Sequence, residues 1–240
     1  MGKKFMDAGL ATSATRLLAE QDHLVGQRDN ALLRSARDGR VSRQDLRRMV
    51  QADQLCLEAE TVSYAILLSR FPNGPAADLF SGLNAALRSL KPSLDRCAKA
   101  LEAPSASVLD PSRDATAFAF PRAVSWMCLH AGPIAAALAV RADFAAYARE
   151  SGELLRALSD DGIEVPEAFR EHYSVPASTE LLDLAAAVVQ EGFVERDSTS
   201  GRAASVADVL LVGLDGFWLF AAGDRREPSA TAADQSIRRG

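Results

Sequence analysis

The sequence has few of the residues that most reaction-specific motifs need. Three cysteines, Cys56, Cys97 and Cys128, are odd in number and widely spaced, which fits reduced thiols better than a disulfide framework or a zinc motif. Three histidines lie on three different predicted helices, and no Glu-x-x-His pair occurs. The sequence therefore predicts no bundle-type metal pair and no metal cofactor.

Several larger signals are also missing. No segment alternates with period two for long enough to predict a strand, and there is no Gly-rich phosphate loop, nucleophile elbow or dinucleotide fingerprint. The net charge of -5 disfavours a broad nucleic-acid surface. The first 13 residues lack a continuous apolar core, and the apolar run 206–222 contains Asp208 and Asp215. We therefore expect a cytoplasmic protein without a membrane span.

What the sequence does contain is helical periodicity. About half of its 240 residues are apolar, which suits one globular domain with a large core. The predicted class is all-α, a compact bundle of seven to eight helices. We expect a flexible leader at 1–12, one helical domain at 13–222 and a disordered tail at 223–240. The predicted helices begin near residues 13, 42, 76, 121, 133, 165, 178 and 203.

One predicted helix stands out, because Ser42 and Asp45 form a capping-box pattern at its start and it continues to Arg70. At about 100° per residue, Asp53 and Glu60 lie two turns apart within its apolar stripe. A buried carboxylate needs a hydrogen bond, a neutralising proton or water. This stripe predicts either an acid-lined cavity, with Asp53 and Glu60 as anion or general base, or a structural network of paired side chains.

The last predicted helix repeats the spacing with Asp208 and Asp215, which suggests a second set of inward acids or, alternatively, acids at the edge of the bundle. Gly213 and Gly216 would let a neighbouring helix approach closely or would thin the wall of a cavity. Six arginines between Arg34 and Arg48 form a basic cluster that could meet an anion or nucleic acid but is more typical of a solvated or intersubunit surface.

The order and spacing of three segments resemble the heme-oxygenase-like fold, in particular the group of thiaminase II (TenA) and pyrroloquinoline quinone synthase (PqqC). The segments are GRVSRQDLRRMVQADQ, ALAVRADFAAYARESGELL and the GFW near the end of the last helix. The resemblance implies a central small-molecule pocket and a homo-oligomer, a dimer or tetramer. It covers roughly residues 15–222.

Matched residue by residue, the resemblance departs from thiaminase II at the reactive positions. Asp53 and Tyr147 match, Cys56 stands in place of an aromatic, and Asp143 stands where the nucleophilic cysteine should be. A carboxylate does not easily replace a thiolate in this displacement, so we expect no working thiaminase. Asp215 lies beside the position of the family's glutamate.

The leading hypothesis is a metal-independent biosynthetic or salvage enzyme that binds a small organic molecule, such as an amine-containing ring. The alternative is a non-catalytic ligand-sensing regulator or partner-binding helical protein. The candidate catalytic residues are Asp53, Glu60, Asp143 and Asp215. The candidate ligand-binding residues are Cys56, Tyr64, Trp126, His130, Tyr147, Phe217 and Trp218. His130 also fits a hydrogen-bonded core histidine, and His172 is expected near the surface.

Overall fold

The computed structural model describes the backbone of residues 2–195 and 200–223 and the side chains of residues 13–192 and 201–223. The described chain folds into nine α-helices and one short 3-10 turn, with no strand in that part. The helices are α1 Gly2–Gly26, α2 Ala31–Arg37, α3 Arg43–Arg70, α4 Gly74–Leu101, α5 Ala119–His130, α6 Pro133–Asp160, α7 Glu167–Tyr173, α8 Thr179–Glu195 and α9 Ser200–Ala221. The predicted all-α class is confirmed.

Helix α3 lies at the centre of the bundle, packed against α4, α5 and α9. Helix α6 packs against α9, α8 and α2. The core between them is built from fully buried side chains such as Tyr64, Phe80 and Trp218. These long helices leave room for a cavity where α3, α4, α6, α7 and α9 meet.

Local signals explain where α3 begins. Ser42 Oγ accepts from the Asp45 amide at 3.3 Å, and Asp45 Oδ2 accepts from the Ser42 amide at 2.7 Å. The capping box predicted from the sequence is therefore confirmed. Gly39, with φ of 64°, follows the C-cap of α2 in the left-handed region that glycine adopts without strain.

The start of the chain differs from the prediction of one helix over residues 13–38. Helix α1 begins at Gly2 and ends at Gly26, and α2 begins only at Ala31. The Asn30 side chain caps α2 by accepting from the Leu33 amide at 2.8 Å. Residues 2–12, expected as a loose leader, belong to α1, and residues 224–240 of the expected tail lie outside the described residues.

A buried ion pair accounts for this break. Glu150 of α6 is 0% exposed, and its carboxylate accepts from Arg28 Nε at 3.0 Å and from Asn30 Nδ2 at 3.3 Å. Because the segment between α1 and α2 supplies both donors, tertiary pairing fixes the turn there. Local periodicity does not contain this information.

Helix α9 packs closely along α5. A Cβ atom at Gly216 would lie 2.4 Å from Ala119 Cβ, and one at Gly213 would lie 3.0 Å from Phe120 Cα. The predicted role of both glycines in close helix approach is confirmed. The 201–221 stretch is long and apolar enough to cross a membrane, but 56% of its most apolar window is buried inside the bundle, so localisation stays a prediction.

Candidate functional site

A cavity of about 240 Å³ lies between α3, α4, α6, α7 and α9. Three carboxyl side chains line it: Asp53 and Glu60 from α3, and Asp143 from α6. Glu60 is 9% exposed and Asp143 4% exposed. The prediction that Asp53 and Glu60 face a hollow from one helix is confirmed.

The rest of the lining is mostly apolar. Aromatic and aliphatic side chains from six helices form the walls, and the 175–178 segment between α7 and α8 forms part of the rim. The wall residues include Leu57, Leu87, Leu90, Phe120, Phe144, Tyr147, Leu214 and Phe217. An apolar cavity with a few convergent polar groups is the usual form of a small-molecule site.

Asp53 is held by donors from two other helices. Its Oδ2 atom accepts from the Tyr147 hydroxyl at 2.9 Å and from the Tyr173 hydroxyl at 3.0 Å. His172 Nε2 lies 3.4 Å from the same oxygen. The two hydroxyl donors orient this carboxyl group, and His172 Nε2 becomes a third donor in the tautomer that carries its proton there. The other oxygen, Oδ1, has no hydrogen-bond partner among the described residues and remains available to a ligand.

Glu60 has a different environment. The Tyr64 hydroxyl donates to Glu60 Oε1 at 2.9 Å. Burial raises the pKa of Glu60 to about 8, with the Tyr64 hydrogen bond lowering it and the nearby Asp53 charge raising it. At pH 7 this carboxyl is therefore largely protonated and can donate a hydrogen bond.

Asp143 has no hydrogen-bond partner among the described side chains and backbone groups. Burial raises its pKa well above the usual range, and Glu60 raises it further, while Arg28 lowers it. The cavity thus combines one multiply hydrogen-bonded carboxylate with two carboxyl groups that favour the protonated form.

Cys56 lines the cavity between Asp53 and Glu60 on α3. Burial and then the charge of Asp53 raise the pKa of its thiol well above the normal value. A protonated thiol is a poor nucleophile. The cavity surroundings therefore oppose thiolate chemistry at this position.

Sequence reasoning missed His172 and Tyr173. The prediction of a surface His172 is wrong, because its side chain is only 7% exposed and lines the cavity. Both residues lie on the seven-residue α7, where the apolar Phe169 marks the inward face. The spacing of Phe169 and Tyr173 was a usable signal, since residues four apart share a helical face.

Several candidate residues lie outside the cavity. Asp215 was expected to face inward, but its side chain is 52% exposed and pairs with Arg28, and Asp208 is also exposed. Trp126 is 44% exposed and its ring lies 5.6 Å from that of His130, which is exposed too. The inward placement of Asp215, Trp126 and His130 is wrong, and so is a core position for His130.

The remaining candidates support the cavity wall. Tyr147 and Phe217 line the cavity directly. Tyr64 and Trp218 are fully buried behind it, where Tyr64 holds Glu60 and Trp218 stacks on Tyr147 with ring centroids 5.9 Å apart. They position the lining groups without forming part of the cavity surface.

The predicted basic cluster is occupied by protein partners. Each of the six arginines has a carboxylate or backbone carbonyl partner: Arg34 and Arg37 with Asp29, Arg40 with Asp38, Arg43 with Ala100, Arg47 with Glu102, and Arg48 with Asp45. Arg43 and Arg47 connect α3 to the end of α4, and the other contacts are local. The expectation of a solvated or intersubunit surface stays a prediction.

Among the residues lining the cavity there is no lysine or arginine. The described residues also contain no group of three or more His, Cys, Asp or Glu side chains placed to hold a metal ion. Comparison with protein-family models, curated proteins and solved structures finds no match to the chain. The site must therefore be interpreted from its own geometry.

Proposed function

We propose that the protein binds a small organic molecule with a protonated amine or similar cationic group in the acid-lined cavity. The observation that carries this proposal is the free Oδ1 atom of Asp53, in a cavity whose charged or ionisable lining includes three carboxyls and no lysine or arginine. A desolvated cation gains most from a carboxylate that is already oriented by its neighbours.

The size of the cavity restricts the ligand. Its volume of about 240 Å³ is below the roughly 300–1,000 Å³ of sites for drug-sized ligands. A single ring with a short amine-bearing substituent fits this space. The apolar walls and the face of Tyr147 would contact the ring, and the protonated Glu60 and Asp143 would donate hydrogen bonds to its heteroatoms.

We further propose a heme-oxygenase-like scaffold of the TenA and PqqC type, used in a metal-independent biosynthetic or salvage reaction. The helix order and the positions of Asp53 and Tyr147 in one cavity support it. The raised pKa of the Cys56 thiol makes it a poor nucleophile, which favours a protein that does not hydrolyse thiamin through this cysteine. The proposal includes a cytoplasmic homo-oligomer.

Two measurements test ligand binding. Native mass spectrometry of the purified protein would detect a retained small molecule. Titration calorimetry would then compare benzylamine with benzyl alcohol, its neutral analogue. We expect Asp53→Asn to weaken benzylamine binding by at least about tenfold, because removal of one partner of a buried charge pair costs several kcal/mol.

Benzyl alcohol provides the control, since its binding should change little in Asp53→Asn. Asparagine keeps an oxygen that can accept from Tyr147, and circular dichroism would check that the helices remain. Equal affinity of the wild-type protein for the amine and the alcohol would contradict the proposal.

The second candidate function is a non-catalytic ligand-sensing or partner-binding protein. It is favoured by exposed apolar side chains on α5, where Trp126 is 44% and Leu129 57% exposed. A partner surface there would lie apart from the cavity residues. Trp126→Ala should then change association, measured by analytical ultracentrifugation, while amine binding stays constant.

A further inference from the structure

The starting observation is a row of hydrogen bonds that leaves the cavity through His172. On one side of the imidazole ring, Nε2 lies 3.4 Å from Asp53 Oδ2. On the other side, Nδ1 lies 2.7 Å from Ser93 Oγ. Ser93 belongs to α4 and is only partly buried, with the exposed Pro92 and Asp95 close to it in sequence. The row therefore connects the cavity with the outer part of α4.

Ser93 has two possible acceptors for its single hydroxyl proton. One is His172 Nδ1, and the other is the Leu90 carbonyl at 2.8 Å. When the hydroxyl donates to Nδ1, the neutral imidazole carries its proton on Nε2 and donates to Asp53. When the hydroxyl donates to Leu90, Ser93 Oγ accepts from a protonated Nδ1.

Both protonation states of His172 are consequently satisfied. In the neutral ring, Nδ1 accepts from Ser93 and Nε2 donates to Asp53. In the imidazolium, both nitrogens donate, and the Ser93 proton turns to the Leu90 carbonyl. Rotation of the Ser93 hydroxyl accompanies the change from one protonation state of His172 to the other. Neither protonation state leaves an unpaired buried polar atom, which would cost about 1–3 kcal/mol.

The groups around His172 come from three neighbouring helices and from α7 itself. His172 contacts Asp53 of α3, Ser93 of α4 and the adjacent Tyr173 of α7. Tyr147 of α6 bonds to the same Asp53 oxygen, and Cys97 of α4 interacts with Asp53 and Tyr173. Burial raises the pKa of Cys97 to about 12 and, together with Asp53, raises the pKa values of both tyrosines well above normal. These three groups remain neutral near pH 7, which leaves Asp53 as the carboxyl group in contact with His172.

We propose that Asp53, His172 and Ser93 form a proton-transfer chain between the acid-lined cavity and the outer part of α4, with His172 as the group that takes up and releases the proton. In the inward direction, the neutral ring carries its proton on Nε2: the Ser93 hydroxyl gives its proton to Nδ1 and takes one from hydronium in the solvent, and Nε2 gives its proton to Asp53 Oδ2. The outward direction is the reverse: Oδ2 returns the proton to Nε2, Nδ1 gives its proton to Ser93 Oγ, and the hydroxyl gives its own to solvent water. Each O–H or N–H bond that breaks is replaced by one to the next acceptor, and no electrons are exchanged.

The proposed chain rests on the proposed function, because general acid–base chemistry on a bound ammonium group needs a route for its proton. Asp53 is the residue where the two meet. Its Oδ2 lies 3.4 Å from His172 Nε2, and its Oδ1 has no partner among the described residues and is available to the amine.

The test uses ligand-free protein with ¹⁵N-labelled histidine and follows the ring nitrogens of His172 by NMR from pH 5 to 9. Signals are assigned with His23→Gln and His130→Gln. We expect the neutral ring to carry its proton on Nε2. We also expect Ser93→Ala to slow interconversion of imidazole and imidazolium, seen as line broadening, by at least about tenfold.

Two further variants separate proton transfer from a structural effect. Ser93→Thr keeps the hydroxyl and should restore the wild-type rate. Ser174→Ala removes a hydroxyl two residues from His172 whose one partner among the described residues is the Glu171 carbonyl at 3.2 Å, and it should leave the rate unchanged. Circular dichroism would verify folding of each variant.

Two results would overturn the proposal: a neutral wild-type ring with its proton on Nδ1, or a Ser93→Ala protein that interconverts at the wild-type rate. Because no ligand is present, these results are independent of amine binding. Failure of benzylamine to bind, with the NMR results as expected, would refute the proposed function and leave the proton chain standing.

Discussion

Asp53 and Glu60 point into one cavity from the same helix, yet their hydrogen bonding differs. Asp53 Oδ2 accepts from two tyrosine hydroxyls on α6 and α7, whereas Glu60 accepts one hydrogen bond from Tyr64 on its own helix. Burial raises the pKa of Glu60 to about 8. One helix therefore presents a ready carboxylate and a largely protonated acid to the same space.

The raised pKa of Glu60 predicts a pH-dependent stability. In the unfolded chain this carboxyl titrates near its usual value of about 4.3, and in the folded protein near 8. Between these pH values the folded state binds more protons than the unfolded state. The contribution of Glu60 to the free energy of unfolding is therefore complete below about pH 4.3 and is lost as the pH rises through 8. Glu60→Gln should remove this loss, so its free energy of unfolding should fall less than that of the wild type as the pH rises to 8–9.

Urea unfolding at pH 6 and pH 9 measures the effect, which we expect to be on the order of 1 to a few kcal/mol, since one pKa unit corresponds to about 1.4 kcal/mol. The quantity compared is the change in free energy of unfolding between the two pH values. A wild-type and a Glu60→Gln protein with the same pH dependence would show that Glu60 is ionised in the fold.

Periodicity was sufficient to place the α3 acids but not those of α9. Helix α3 has one apolar stripe, so the angles of Asp53 and Glu60 decide their direction. Helix α9 is apolar on most sides, with Val212 67% exposed. Its orientation is set by packing of Gly213 and Gly216 against α5, so the sequence alone did not determine where Asp215 points.

The contacts of His172 were also inaccessible to local reasoning. Its partners Asp53 and Ser93 lie 119 and 79 positions away in the chain. Helical periodicity specifies a face, whereas these contacts depend on how α7 docks against α4. The break before α2 has the same origin in a long-range pair with Glu150.

The ion pair between Arg28 and Glu150 should be essential for stability. Glu150 is 0% exposed, and Arg28 Nε donates to it at 3.0 Å. Arg28→Ala would leave the buried Glu150 carboxylate without this partner. Removal of one partner of a buried ion pair typically costs about 3–5 kcal/mol. Thermal and urea unfolding near neutral pH measure this loss.

Asp215→Asn is the matched control, because Asp215 pairs with the same arginine but its side chain is 52% exposed. Exposed ion pairs contribute about 0–1 kcal/mol. Similar losses in Arg28→Ala and Asp215→Asn would show that Glu150 is not the partner that makes Arg28 important.

Cys56 should react slowly with alkylating reagents. Burial and the neighbouring Asp53 raise the pKa of its thiol well above normal, so the thiolate fraction stays small even at pH 8. In folded protein treated with iodoacetamide at pH 8, we expect peptide mass spectrometry to find Cys56 unmodified. In guanidinium chloride all three cysteines should be modified, and fast labelling of folded Cys56 would contradict its raised pKa.

The glycines of α9 and α6 offer a matched pair of substitutions. At Gly216 a Cβ would lie 2.4 Å from Ala119 Cβ and 3.1 Å from the Thr116 carbonyl oxygen, so Gly216→Ala must move α5 away from α9. Overpacking of this kind costs about 1–3 kcal/mol. At Gly152, inside α6, nothing lies within 4 Å of the built Cβ, and Gly152→Ala should gain about 0.5–1 kcal/mol from helix propensity.

Urea unfolding of the two alanine variants gives effects of opposite sign if the α5–α9 contact is as close as the structure has it. Leu214 and Phe217 of α9 line the cavity, so displacement of α9 in Gly216→Ala should also weaken benzylamine binding, whereas Gly152→Ala should leave it unchanged. A Gly216→Ala protein as stable as wild type would mean that the two helices pack farther apart, and the cavity wall formed by α9 would have to be redrawn.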